Sequence, residues 1–320
     1  MKLITLFFLL LTGCILTNSQ LSIQYASLGL ELWFTKMIPS LLPFMILSGI
    51  MIRLNLTEKL AMTAYPVIGP LYRVSKNVCY CMILGFLCGF PMGAKVTADL
   101  LERDRITPRE AEYLLAFCNN IGPVYFCSFV LPLLGRTLTV PYLFGMYGIP
   151  LIYGMVLRYT AFRDIGIAER KAEISDPIHI AELRSCEVPV KKTLSGRALL
   201  EAMDESIRAG GISILILGGY MVLFNLLNLL PHIVLGHSFP ILAPLLEITG
   251  GLGILQGVLP LYCLFALSFG GLSCIAQTYS CIRKTGLSLG NYVFHKVVLT
   301  LLNGGFYLCW FLLSPTSFLR

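Results

Sequence analysis

Charge is what this 320-residue sequence has least of. Only 13% of its residues are Asp, Glu, Lys or Arg, against roughly a quarter in soluble domains. That shortage excludes a water-soluble globular domain. The sequence has no evident nucleotide-binding motif, so a pump that burns ATP on this chain alone is not expected. It has no helix with zinc-ligand spacing and no pair of intramembrane aspartates, which argues against an intramembrane enzyme. Cys79-Tyr80-Cys81 lacks metal-site spacing and has no nearby histidine. No metal and no cofactor are expected. The net charge of +7 does not mark a nucleic-acid binder, because the basic residues sit between apolar blocks rather than in one patch.

What the sequence has is apolar residues, 56% of the total, with a mean hydropathy of +0.78. They come in long blocks, about 3–17, 32–52, 60–72, 78–94, 113–134, 138–157, 207–230, 232–246, 257–277 and 290–314. This pattern predicts an all-α, polytopic membrane helix bundle with about ten membrane segments. Most of the 11 cysteines lie inside these blocks and read as small packing residues. His232, His237 and His295 fall near block ends and read as interfacial. The stretch 159–205 is the one long polar interval. The N-terminal run Lys2–Thr17 reads as a first membrane helix, or as a signal-like segment with a lipoprotein-type Leu11-Thr12-Gly13-Cys14.

Lysine and arginine set the orientation. They crowd the interval 159–205 and the loop holding Lys95, Arg103, Arg105 and Arg109, so both are expected on the cytoplasmic side. Arg73 with Lys76, and Arg283 with Lys284, would then fall outside. In that second loop, Thr107, Pro108 and Glu110 read as cap, first residue and box acid of a helix.

The two halves resemble each other. Shifted by 170, "ILSGIMIRLNL" (46–56) meets "ILGGYMVLFNL" (216–226). Shifted by 174, "PVIGPL" (66–71) meets "PILAPL" (240–245). Shifted by 182, Gly89 meets Gly271 and Lys95 meets Gln277; Asn120–Gly122 then falls near Asn303–Gly305. The expected organisation is an N-terminal segment 1–30, a first repeat 31–134, a linking helix 135–158, a cytoplasmic loop 159–205 and a second repeat 206–314. If 60–72 and 238–246 cross the bilayer the repeats are inverted, and if both are re-entrant they are parallel; the charge pattern favours inversion. Inverted repeats with broken helices are the architecture of secondary transporters.

Candidate site residues are the polar groups beside helix breakers, because freed backbone in lipid needs a partner. Pro39 and Pro43 flank Ser40 and disfavour continuous helix upstream. Gly89, Pro91 and Gly93 precede Lys95, whose charge would face an anion together with freed amides; pairing of Lys95 with Asp99 four residues on is the local alternative. Asn119 and Asn120 precede Gly122-Pro123. Glu247 and Thr249 precede Gly250-Gly251. Ser273 and Gln277 follow Gly270-Gly271, and Asn303 precedes Gly304-Gly305.

The strings "IPSLLPF", "GFPMGAKVTADLLERDRITPREAEYLLAFCNNIGP" and "LLEITGG" closely resemble the sporulation integral membrane proteins of the YlbJ type. These share a Gate domain with concentrative nucleoside transporters and ferrous-iron permeases. The resemblance implies a transporter-like protein of a bacterial membrane acting in sporulation, with the pyridine dicarboxylate dipicolinate as implied cargo. Its partners would be a small anion and the lipid bilayer, with self-association of the chain left open. The alternatives are a non-transporting scaffold for the spore envelope and a nucleoside-type permease. A Lys191→Cys protein in intact cells is expected to resist a membrane-impermeant thiol reagent; labelling from outside would overturn the orientation.

Overall fold

The computed structural model of the chain describes residues 2–165, 196–236, 239–256 and 258–315. His237 and the central interval 166–195, Lys191 included, lie outside the described residues. The described chain is helical with no strands. Five helices are long and apolar enough to cross a membrane: Ser19–Arg53, Val140–Tyr159, Gly196–Ile233, Pro260–Ile282 and Leu289–Leu313. The protein is thus an all-α, multi-pass membrane protein. Pro260–Ile282 is the most enclosed of the five, with 61% of its apolar window buried against 28% for Leu289–Leu313. One buried cluster centres on Val78–Phe117 and Ile214–Met221, and a second on Phe126–Met146 and Ile248–Leu267.

Side-chain pairs show which loops share a face. Arg53 pairs with Glu205 at 2.9 Å. Asn77 donates to the Arg105 carbonyl at 3.3 Å, and Arg105 donates to Asn55. Arg109 pairs with Asp164 at 3.0 Å and stacks on Phe162 at 4.3 Å; the same guanidinium holds the Asp164 carboxyl below its ordinary range. Arg158 donates to the Arg73 carbonyl at 2.9 Å. Glu102, Arg283 and Lys284 line one vestibule. These groups gather at one basic face, as a cytoplasmic surface would. Arg73 with Lys76, and Arg283 with Lys284, therefore lie on that face and not opposite it.

The reason is that several apolar blocks turn back instead of crossing. Lys76–Cys88 and Met92–Leu101 fold against each other as a hairpin, with Cys81 and Thr97 in contact at 3.0 Å. Its tip is Gly89–Pro91. The interval 57–73 also leaves and rejoins the basic face: Thr57 donates to Asn77 at 2.8 Å, and Tyr159 donates to the Leu71 carbonyl at 2.8 Å. Ala243–Leu246 and Ile248–Leu255 form a second hairpin with its tip at Glu247; a Cβ on Gly251 would lie 2.2 Å from the Pro244 nitrogen. The about ten membrane segments expected reduce to the five long helices, short apolar pieces and one further broken path. That path runs through Pro108–Phe117 and Pro123–Leu133, interrupted at Cys118–Gly122.

Each half now has one order of elements: a long crossing, a hairpin, a broken crossing and a second long crossing. Ser19–Arg53 and Gly196–Leu226 run antiparallel, with Gly29 against Val222, Gly49 against Ser206 and Arg53 against Glu205. The halves therefore run in opposite directions through the bundle, although neither 60–72 nor 238–246 crosses. Gly89 sits at a hairpin tip, whereas Gly271 follows the break inside the second broken crossing, whose helices Pro260–Phe269 and Gly271–Ile282 both pack along Leu289–Leu313. The sequence match of Gly89 with Gly271 is thus not a match of position in the fold. By order of elements, Gly271 answers to Cys118–Gly122 and Gly89–Pro91 to Glu247. Val140–Tyr159, which falls on the expected linking helix 135–158, is like Leu289–Leu313 long and apolar enough to cross.

Proline acts differently from expectation in the first long helix. Pro39 and Pro43 do not end it; the chain widens into a π-helical turn at Trp33–Met37 and continues to Arg53. The same device recurs at Phe126–Val130 before Pro132, and at Phe144–Gly148 before Pro150. In each case the proline follows the wide turn by two residues. A proline ring clashes with the carbonyl four residues back and lacks the N–H that would bond it; widening the turn around that carbonyl relieves the clash. At Thr107 the expected capping box is present: Glu110 N–H donates to Thr107 Oγ1 at 3.2 Å, and Thr107 N–H donates to Glu110 Oε2 at 2.9 Å.

Close backbone approach dictates the glycines of the first hairpin. A Cβ on Gly93 would lie 2.3 Å from the Cys118 carbonyl oxygen, whereas one on Gly253 would meet nothing within 4 Å. Gly93→Ala is expected to lower stability by about 2–4 kcal/mol through overpacking against backbone. Gly253→Ala should leave it unchanged or raise it by up to about 1 kcal/mol. Thermal unfolding of the two variants in detergent checks this; equal melting temperatures would refute the packing.

Candidate functional site

Four helix interruptions meet at one place. A Cβ on Gly89 would lie 2.2 Å from the Gly122 nitrogen, so the first hairpin tip touches the first broken crossing. The Phe90 ring reaches Gly270 of the second broken crossing, 3.1 Å from where a Cβ would stand. A Cβ on Gly271 would in turn lie 3.0 and 3.3 Å from the Pro244 and Leu246 carbonyl oxygens of the second hairpin. Gly89, Gly270 and Gly271 hold φ of 83°, 84° and 77°, a region glycine adopts without penalty.

These interruptions surround a cavity. Its walls include Met37, Ser40, Cys88, Phe90, Gly122, Tyr125, Leu217, Glu247, Thr249, Cys274 and Gln277, and it encloses about 40 Å³. Beyond it, towards the basic face, lies a vestibule of about 200 Å³ lined by Lys95, Asp99, Glu102, Tyr220, Arg283 and Lys284. Leu217 and Gln277 line both spaces and form the partition between them. The inner cavity has room for only a water or two. An organic solute requires roughly 300 Å³ or more, so its walls must part for one to bind.

Of the candidate residues, Ser40, Glu247, Thr249 and Gln277 come together around the cavity. Ser40 donates to the Lys36 carbonyl at 2.7 Å. Gln277 donates to Ser273 Oγ at 2.9 Å, and Ser273 itself is not part of the cavity wall. Lys95 is elsewhere. It stands in the vestibule, a turn beyond the hairpin tip, and is ion-paired with Asp99. The freed amide of Ala94 is not left open for an anion either; it donates to Asn119 Oδ1 at 3.3 Å. Asn119 also donates to Thr278 at 2.9 Å and Tyr292 at 3.2 Å, joining three helices. Asn120 donates to the Phe117 carbonyl at 2.5 Å. Both asparagines are thus spent on holding the first break, because a buried amide and a broken helix satisfy each other. Asn303 donates to Ser268 at 3.1 Å on the second broken crossing, and is not part of the cavity wall.

Glu247 is 2% exposed. It caps the returning arm of the second hairpin, accepting from Thr249 N–H at 3.2 Å and Gly250 N–H at 2.6 Å. Asn225 donates to it at 3.2 Å. The positive end of a helix and three donors compensate a carboxylate that has no ion-pair partner among the described residues. Tyr125 stands beside Thr249, with its hydroxyl lacking a well-formed hydrogen bond.

Two residues escaped the sequence reading. Asn225 lies inside block 207–230, in the stretch 216–226 that matches 46–56, where it coincides with Asn55. Lys296 also carried a signal: it is the one Lys or Arg in block 290–314. Lys296 is 2% exposed and donates to the Asn119 carbonyl at 2.9 Å and Asn120 Oδ1 at 3.2 Å. Its neighbour His295, expected at the interface, bonds Tyr153 at 2.7 Å. Among the described residues no group of three His, Cys, Asp or Glu side chains is placed to hold a metal.

The chain is 29% identical over 243 residues to the sporulation integral membrane protein YlbJ of Bacillus subtilis (strain 168), a match covering 72% of this chain. It spans 57% of the length of that curated relative. The match supports a YlbJ-type protein. No protein-family model matches the chain, and no solved structure matches it.

Glu247→Ala leaves three buried donors without an acceptor, at about 1–3 kcal/mol each. It is expected to lower the melting temperature of the purified protein clearly more than Glu247→Gln, whose side-chain oxygen still accepts. Equal losses in the two variants would contradict the capping role.

Proposed function

We propose that this chain, as a YlbJ-type sporulation membrane protein, is a secondary transporter that moves a small organic anion across the membrane. The observation that carries this reading is the convergence of four helix interruptions, two from each oppositely directed half, on one small cavity. Interrupted helices at the interface of inverted halves are how secondary transporters place a solute near the midplane and expose it to one side at a time. The partition at Leu217 and Gln277 is then the cytoplasmic gate, and the vestibule is the approach to it. The vestibule's Lys95, Arg283 and Lys284 outnumber its Asp99 and Glu102, three cations against two acids, which attracts anions to the gate. Dipicolinate, implied by the resemblance to the YlbJ-type proteins, is the leading cargo.

A second reading draws on the inner cavity itself. Ser40, Glu247, Thr249 and Gln277 are neutral or acidic, a set that suits the hydroxyls and ring nitrogens of a nucleoside. Purified protein in proteoliposomes, offered radiolabelled dipicolinate and uridine side by side, separates the two. Uptake of dipicolinate well above that of protein-free vesicles, with little uridine, is expected. The reverse preference supports the nucleoside reading, and no flux of either overturns transport in favour of a scaffold.

A further inference from the structure

The proposed anion cargo meets no positive charge in the inner cavity as it stands, yet a buried cation lies just behind its wall. Lys296 sits well inside the apolar helix Leu289–Leu313. An ammonium removed from water is costly unless paired, and inside a membrane such a group marks a functional position by default. No carboxylate lies within ion-pair distance of Lys296 among the described residues. Its hydrogen bonds are to two neutral oxygens, the Asn119 carbonyl and Asn120 Oδ1. An ammonium has three N–H donors. What completes its surroundings is the face of the Phe90 ring, 5.0 Å from Nζ.

Phe90 has two roles in that position. It covers Lys296, and it is part of the cavity wall. It belongs to the tip of the first hairpin, outside both arms. The two asparagine oxygens hold the ammonium in place on the first broken crossing. An aromatic face is a weak partner for an ammonium, and a carboxylate is a stronger one. Exchange of one for the other requires only that the ring move aside. With the ring displaced, one space would therefore hold a cation towards one side and the hydroxyls, amide and acid of the other walls facing it.

We propose that Lys296 binds a carboxylate of the transported anion and that Phe90 is the shutter separating it from the cavity. This rests on the carrier reading above and names the charge that reading needs. It also moves the anion-reading role from Lys95, which Asp99 neutralises, to a lysine with no acid of its own.

The test uses purified full-length protein and pyridine-2,6-dicarboxylate, with the neutral pyridine-2,6-dicarboxamide as control. Wild type is expected to melt at higher temperature in the dicarboxylate and not in the diamide. Lys296→Met is expected to lose that rise and at least tenfold of the uptake rate. A purely structural lysine would instead give a less stable protein that still responds to the dicarboxylate, and that result overturns the proposal. Phe90→Ala gives an independent reading if Lys296→Met does not fold: its half-saturating dicarboxylate concentration should fall at least threefold, and an unchanged or higher value overturns the shutter. Wild type that neither binds nor carries the dicarboxylate brings down the carrier reading itself. Wild-type uptake that survives in Lys296→Met brings down only the assignment to Lys296.

Discussion

Backbone hydrogen bonding in a medium without water is the constraint on which this structure turns. Inside a bilayer every N–H and C=O must find a partner within the protein. The long helices meet this by themselves. The four interruptions cannot, and the bundle is arranged so that they satisfy one another. Asn119 takes the amide of Ala94, Lys296 and Asn120 occupy oxygens at the first break, and Glu247 takes two amides at the second hairpin. None of these arrangements works at a lipid-facing position, so the interruptions are driven together in the interior.

Glycine makes that meeting geometrically feasible. Gly85, Gly89 and Gly93 form one stripe of the first hairpin, and all three face the Cys118–Gly122 backbone at distances that leave no room for a Cβ. The hairpin tip is thus pressed onto the break beside it. The consequence is a small cavity bordered by segments with few helical bonds of their own. Such segments are the ones able to change conformation at modest cost. Leu217 and Gln277, from two helices packed against each other, and the ring of Phe90 are parts of that wall.

The legible part of the architecture and the misread part differ for a definite physical reason. Hydropathy reports where a segment is apolar. It does not report whether the segment crosses or returns. Block 78–94 looked like a crossing because its residues are as apolar as those of one, but it ends at the tip of a hairpin. The match of Gly89 with Gly271 misled in the same way: both are breaks before an amphipathic helix, and only packing tells a hairpin from a broken crossing. Pro39 and Pro43 disfavour continuous helix upstream, yet the helix absorbs Pro39 by widening one turn. Lys95 drew attention because it follows the break in sequence. Lys296 approaches the same interruptions from a distant helix, and adjacency in sequence could not reveal it.

The sequence by itself determined that the protein lives in a membrane, is helical, and carries interruptions at Gly89–Pro91, Cys118–Gly122, Glu247 and Gly270–Gly271. It also placed Ser40, Glu247, Thr249 and Gln277 among the residues of interest. These follow from local chemistry: transfer of apolar residues from water, the missing N–H of proline and the backbone freedom of glycine. Only the tertiary structure decided which segments turn back, which loops share the basic face, and which polar groups are consumed in holding a break and which border the cavity. Those outcomes depend on contacts between residues far apart in the chain. Asn119 meets Thr278, and Lys296 meets Asn120, and no periodicity or motif within either segment encodes such a meeting.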